Sequence, residues 1–499
     1  MDWNRRFFIL LACATALRLA YILVSPLDLV ADEAYYWDWS RQLDWGYFSK
    51  PPMIAWIMAL FSRTIGASAA VVRLPAVLLG TVSVWALFLL ARRMYDSRTA
   101  FWAAAAAMAS PGGSVLAFMM TIDAPLICFW SIALYLFWTV LEKEKGGALE
   151  WFGLAAAIGL GLLSKQMMGS FIGIMFVFLV ASGRDRYLLQ SYRPYMYSLL
   201  ALSAMVPSVL WNARHDWITL HHTAGHFEGS RSFFMATMGE FIGAQIGVVS
   251  PLTWILFAAL SVFLIFNLRS LDRRALYLLC FSFVPLSGVF VLSFRQRIEP
   301  NWPAAFYPAA MVLLAAWGCG ALSAGSTRMD SWRPWFKKGV IVGAVMALLT
   351  YALPFWASSA PVPWAQRLIA RLQGWGQLGV EAGTAFGAVP RPEKTFVLAI
   401  NRQLAAELAF YMPGQPRVYN WRRPGVPENQ YDIWDGPPIG WDALLVFPEP
   451  DSRVPAAVSG CFQEVRRLED PPDKGGPHRF SFFLGTSLKK WPSPGEHGQ

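Results

Sequence analysis

Apolar runs, most of about twenty residues, recur through the first 356 positions of this chain, and all but the shortest are long enough to cross ~30 Å of hydrocarbon. Such runs leave few options, because backbone groups inside a bilayer must be satisfied by helices or closed barrels. The first run, Phe7 to Val24, follows Arg5 and Arg6 and reads as an uncleaved span, since no small-residue cleavage site closes it. Further spans are predicted near 72–91, 99–117, 124–141, 151–164, 166–182, 194–211, 242–267, 276–293, 303–323 and 340–356. The fold class that follows is a membrane all-α, polytopic bundle of about 11–13 transmembrane helices, with juxtamembrane helices and a small C-terminal α/β domain.

Composition agrees with that reading. Of the 499 residues, 56% are hydrophobic and only 15% charged, where a soluble chain carries about 25% charged residues. A net charge of +10 raises the question of nucleic acid. The arginines and lysines fall in short clusters between apolar runs, not along one basic face, so that partner is excluded. Four of the five cysteines lie in apolar runs and Cys461 stands alone in the polar tail, so neither a disulfide framework nor a Cys-based metal site is expected.

Orientation follows from the bias of basic residues between spans. With the N-terminus cytoplasmic, the inner segments hold about seventeen arginines and lysines and the outer loops about eight, with the alternation kept at every loop. The chain is therefore expected in a bacterial inner membrane. Loop 26–71, Asp123, Lys165, loops 212–240 and 294–302 and the tail then lie on the periplasmic side. Residues 1–356 form the expected membrane domain and 357–393, rich in Pro, Gly and Ala, a linker containing one short helix at Trp364–Leu372. Residues 394–499 form an α/β domain with strands at Thr395–Ile400, Arg417–Tyr419, Ala443–Phe447 and His478–Leu484 and a helix at Arg402–Tyr411.

Two segments of the first outer loop carry chemistry. Asp32-Glu33-Ala34-Tyr35-Tyr36-Trp37-Asp38-Trp39-Ser40-Arg41 reads as an amphipathic surface helix opened by an acidic pair. One carboxylate of that pair could act as a general base. Equally, Asp32 could cap the helix while Glu33 complements its dipole. Gly46-Tyr47-Phe48-Ser49-Lys50-Pro51-Pro52 stiffens the backbone around a lysine, which suits an anionic leaving group, or else marks a snorkelling lysine at a helix start. His215, His221, His222 and His226, with Asp216 and Glu228, crowd one outer loop and leave a divalent metal open, against the ordinary reading of interfacial or acceptor-contacting histidines. Arg18, inside the first span, is expected to snorkel or to pair with a buried carboxylate.

An acidic pair after the first span, followed about fifteen residues later by Tyr-Phe-Ser-Lys-Pro-Pro, resembles the glycosyltransferase C superfamily, in particular the bacterial protein mannosyltransferase-like enzymes and the lipid A aminoarabinose and galacturonic acid transferases. The resemblance continues through Thr121-Ile122-Asp123-Ala124-Pro125-Leu126, Leu163-Ser164-Lys165, Trp211-Asn212-Ala213-Arg214-His215-Asp216-Trp217 and Arg297-Ile298-Glu299-Pro300-Asn301-Trp302-Pro303, and includes Asn429-Gln430-Tyr431 in the tail. It implies a polyprenyl-phosphate-linked sugar donor and a lipid or protein acceptor outside the cytoplasm. It implies catalytic roles for Asp32, Glu33 and Asp123, donor-phosphate binding by Lys50 with Lys165, Arg295 and Arg297 as weaker candidates, and substrate contacts from Tyr35, Tyr47, His221 and His222. Ser49 departs from the aminoarabinose group, where a glutamate at that place helps to hold a metal; serine is a poor ligand for zinc.

The expected reaction is an inverting displacement at the sugar's anomeric carbon, with Lys50 facing the departing phosphate and Asp32 the acceptor proton. No nucleotide is needed, and no phosphate-cradling Gly-rich loop is present. A transporter or flippase for the same lipid is the rival from another class. It would place charges deep in several spans and repeat its halves, whereas the chain has Arg18, few other mid-span charges and no matching halves. A structural assembly protein binding a partner through its tail is a second rival, and it would need neither the acidic pair nor the Lys-Pro-Pro turn.

Overall fold

A computed structural model of the chain describes residues 2–143, 147–225, 234–268, 271–359, 363–422, 425, 427–449, 454–469 and 479–492. The chain divides into two units. One comprises Met1–Val24, Lys50–Ile54 and Ala70–Leu353; the other Ser25–Ser49, Ala55–Ala69 and Pro354–Gln499.

The first unit is helical. Among the described residues, five helices are long and apolar enough to cross a membrane: Trp3–Val24, Ala69–Met94, Asp123–Glu142, Arg273–Leu292 and Thr327–Ser359. Two bent pairs raise that number to seven, and Ala148–Ser164, Gln166–Ala181 and Trp302–Gly318 are shorter apolar helices; Met53–Ile65, also apolar, belongs mostly to the second unit. The chain is a multi-pass membrane protein. Its outward faces are apolar, with Leu23, Leu199, Phe266 and Leu349 all exposed, which suits lipid and not water.

Three spans expected to be continuous are broken, the one at 194–211 by a 44° bend between Arg193–Ser203 and Val206–Arg214. The segment expected at 242–267 turns by 111° between Met235–Val249 and Pro251–Phe266. Ser250 there has φ +95° and Pro251 supplies no N–H to continue the ladder. At 99–117 the helix Ser97–Met108 stops, and a short helix, Pro111–Leu116, restarts with Ser110 accepting from Gly113 N–H at 3.2 Å. Inside the unit, Trp130 lies edge-on to Phe171 and Phe306 at 5.1 and 5.3 Å. Buried Tyr277 donates to the Leu134 carbonyl at 2.7 Å.

The second unit is α/β. Strands β1 (Thr395–Ala399), β2 (Val418–Asn420), β3 (Asp442–Pro448), β4 (Phe462–Arg467) and β5 (Phe480–Leu488) form one sheet in the order β2-β1-β3-β5-β4. β1 pairs parallel with β2 and β3, in register Val397 to Val418 and Val397 to Leu444, while β5 runs antiparallel to β3 and β4. Continuous apolar runs in β1 and β3 are what strands covered on both faces require. β4, absent from the sequence reading, is an edge strand whose Glu464, Arg466 and Arg467 deter pairing with another chain.

Two further differences concern helices of this unit. The Ala31–Ser40 helix is not amphipathic at a surface: from Glu33 to Ser40 every residue is buried, and Trp37 meets Phe410 of the Arg402–Tyr411 helix edge-on at 4.9 Å. The stretch expected as a linker contains a thirteen-residue helix, Trp375–Gly387, besides the short helix Pro363–Ile369. A Cβ on Gly379 would lie 2.4 Å from the Tyr411 carbonyl oxygen, so the glycine permits the close approach of the two helices.

Candidate functional site

In the helical unit, three of the motif segments meet at one carboxylate. Asp123 opens the Asp123–Glu142 helix, where the first-turn dipole favours an anion, and it is fully buried. Lys165 sits in extended backbone at the end of Ala148–Ser164, and its Nζ lies 2.8 Å from Asp123 Oδ1. Asn301 Nδ2 donates to Oδ2 at 2.6 Å. The charge of Asp123 is thus met by an ammonium and an amide, the pairing a carboxylate needs once removed from water. Beside Asn301, Tyr307 donates to Gln245 Oε1 at 2.7 Å and Gln245 Nε2 to the Pro300 carbonyl at 3.2 Å.

A cavity of about 350 Å³ lies against this cluster, lined by Arg18, Ser83, Ser110, Ser131, Asn301 and Tyr307 among mostly apolar neighbours. Arg18 is buried and, in place of the expected snorkelling or carboxylate pairing, its Nε faces the Tyr351 hydroxyl at 3.4 Å. Its Nη1 has no partner among the described residues.

In the α/β unit the acidic pair separates by role. Glu33 Oε2 accepts the Val30 N–H at 3.1 Å, closing the first turn of the helix from the N3 position. Asp32 does not cap. Its Oδ1 lies 3.1 Å from Arg402 Nη1, with both side chains nearly half exposed. The guanidinium also covers the Tyr35 ring at 4.7 Å. Burial, the largest single effect, works against the Arg402 charge, but Asp32, Tyr35 and Tyr36 together outweigh it and leave the proton held more tightly than usual. Arg402 was not singled out from sequence. The signal was there: a cation at the first position of a helix opposes the dipole and calls for another reason.

Tyr35 and Tyr47, expected to contact substrate, are packed into the unit. The Tyr35 hydroxyl accepts the Gln430 N–H at 2.6 Å, and burial pushes its phenol well above the ordinary range. Tyr47 stacks on Trp39 at 4.5 Å and accepts the Asp44 N–H at 3.1 Å; burial raises its phenol too. Gln430 Oε1 accepts the Phe48 N–H at 2.7 Å, so the Asn-Gln-Tyr patch of the tail ties down the first loop. Asp38 is buried beside Arg41 at 3.2 Å, and burial, the larger effect, lifts its carboxyl above the usual carboxylate range.

The remaining candidates are more dispersed. Lys50 is part-buried ahead of Pro51, Pro52 and the Met53–Ile65 helix. Arg295 and Arg297 are exposed, and Arg297 approaches Glu240 at 3.8 Å. Buried Gln296 between them has no partner for either side-chain polar atom among the described residues. His221 and His222 are successive positions of the Ile218–Gly225 helix, His221 exposed and His222 part-buried. His215 stacks on Trp211 at 3.9 Å and its Nδ1 lies 2.7 Å from the Trp211 carbonyl oxygen. His226 and Glu228 lie outside the described residues. Among the described residues no three His, Cys, Asp or Glu side chains come together, and both Asp123 oxygens already have partners.

Residues 49–211 match the family described as dolichyl-phosphate-mannose-protein mannosyltransferase. Over 429 residues the chain is 26% identical to the lipid A galacturonosyltransferase RgtD of Rhizobium johnstonii, spanning 84% of this chain and 85% of that protein. The crystal structure of ArnT from Cupriavidus metallidurans in the apo state superposes with a TM-score of 0.63 at 15% identity, over 99% of this chain and 100% of that one. The same protein bound to undecaprenyl phosphate gives 0.63 at 16% identity, over 97% and 98%. The chain thus has the fold of ArnT and is similar in sequence to membrane glycosyltransferases, over part of its length to the mannosyltransferase family and over most of it to RgtD.

Proposed function

We propose that the chain transfers a sugar from a polyprenyl-phosphate carrier to lipid A or an attached envelope glycan on the periplasmic face of the inner membrane. It is an enzyme, a glycosyltransferase. The observation that carries the reading is the buried cluster of Asp123, Lys165 and Asn301. Three segments far apart in sequence, each resembling the superfamily, supply this polar centre inside a largely apolar bundle, and intramembrane charges of this kind are rarely retained without a functional reason. The relative named for lipid A and the fold match to a protein solved with undecaprenyl phosphate favour this donor and this acceptor.

In the proposed reaction an acceptor oxygen attacks the anomeric carbon from the face opposite the phosphate. A new C–O bond forms as the bond to the phosphate oxygen breaks, and that oxygen leaves with the electron pair. Lys50 offsets the charge gathering on the phosphate, a task worth about 2.7–4 kcal/mol per well-placed donor. Asp32, oriented by Arg402, accepts the acceptor's proton when the acceptor is a hydroxyl. Asp123, held by Lys165 and Asn301, is the fixed polar centre of the helical unit.

Mass spectrometry of envelope lipids and secreted proteins from a deletion strain tests the reading. Lipid A or core should lose the mass of one glycosyl residue. Unchanged lipids together with loss of a hexose from secreted proteins would move the acceptor to protein, and no change in either would overturn the reading.

A further inference from the structure

A second cavity, of about 270 Å³, lies wholly within the α/β unit at the carboxyl ends of β1 and β2. Asn401 and Arg402 follow β1, Asn420 and Trp421 end β2, and Glu428 and Asp432 come from the connection to β3; all six line it. Parallel strands of α/β sheets carry their ligands in this crevice. Two acceptor atoms here are unsatisfied: Asn420 Oδ1 and Asp432 Oδ1 have no partner among the described residues, although both residues are more than nine-tenths buried. Buried polar groups left in this state call for a bound partner.

The lining selects among ligands. Two carboxylates face one guanidinium that already serves Asp32, which disfavours a phosphate or a carboxylate. Acceptors at Asn420, Asp432 and Glu428, with the Arg402 donor, suit a compact molecule carrying several hydroxyls. Trp421, nine-tenths buried, adds an apolar wall for the C–H face of a ring. The volume is near the low end of the roughly 300–1,000 Å³ usual for small-molecule sites, too small for a lipid chain. We propose that this cavity binds one hydroxyl-rich pyranose ring, the glycan portion of the acceptor. Saccharide binding here stands on the cavity alone; its assignment to the acceptor rests on the transferase reading above.

Saturation-transfer NMR on the detergent-purified full chain, with methyl glucoside and methyl N-acetylglucosaminide as probes, tests the proposal. Ring protons of at least one probe should receive saturation from the wild type. Asn420→Ala should weaken binding about tenfold and Glu428→Gln, at an exposed position, about threefold or more, the size expected for one lost hydrogen bond. Lys50→Ala should bind the probe as the wild type does while losing sugar transfer. No signal with the wild type, or equal signals in both pocket variants, overturns the proposal. If Asn420→Ala fails to melt cooperatively, Glu428→Gln alone decides. Probe binding by a wild type that transfers no sugar would end the transferase reading and leave this one standing.

Discussion

Arg402 reaches Asp32 across 370 positions of sequence and places its Nη1 3.1 Å from the carboxylate while lying over the Tyr35 ring. One guanidinium therefore sets both the position and the surroundings of the proposed base. Both partners are nearly half exposed, so the pair contributes only about 0–1 kcal/mol to stability. Arg402→Lys keeps the charge but loses the planar stacking. Turnover should fall about ten- to a hundredfold, as for misplaced catalytic groups, with the melting temperature nearly unmoved. Steady-state kinetics beside a melting curve read both.

The Asp123 and Lys165 pair should behave in the opposite way, because Asp123 is fully buried and Lys165 nearly so. Removing one member leaves an uncompensated charge, at a cost of about 3–5 kcal/mol. Asp123→Asn and Lys165→Met should each melt far below the wild type, whereas the double variant should recover much of the loss. Intrinsic-fluorescence melting of the purified variants checks this, and additive losses would contradict it.

Asp38 gives the α/β unit a pH dependence with a defined sign. Burial raises its folded-state affinity for a proton above the unfolded value, despite Arg41. Stability from this group is fully present below the unfolded carboxylate range, and it is lost as pH rises through the folded value. Asp38→Asn should therefore raise the melting temperature at pH 7, and the advantage should shrink towards pH 4. Melting curves across that interval decide the sign.

Gly379 tests the close helix pair of the same unit. A methyl group there would meet Tyr411 backbone at 2.4 Å, and backbone cannot step aside as a side chain can. Gly379→Ala should cost about 1–3 kcal/mol, as overpacking does, although alanine is the better helix former. A neutral or stabilising effect on melting would contradict the packing described.

The spans and the motif residues were legible because length, apolarity and spacing are local properties of a sequence. Asp123 and Lys165 could be named on those grounds, although their mutual contact is a product of folding. Arg402 escaped because its partner lies a whole chain away. The turn at Ser250 escaped because nothing local requires a serine to take a positive φ, though Pro251 beside it was a hint. Gly376, Gly379 and Gly383 recur every three to four residues and, in a stretch read as linker, were the trace of a helix face made for close contact. β4 lacks apolar alternation because an edge strand is shaped to resist pairing.

The account turns on sugar leaving a polyprenyl phosphate for an acceptor, and reconstitution tests that most directly. Purified protein in liposomes, given a polyprenyl-phosphate-linked sugar and lipid A, would be followed by mass spectrometry. The account predicts lipid A heavier by one glycosyl residue, free polyprenyl phosphate in equal amount, and background rates for Asp32→Asn and Lys50→Ala. Donor that reaches the opposite leaflet with its sugar still attached and yields no product, or variants as active as the wild type, would contradict it.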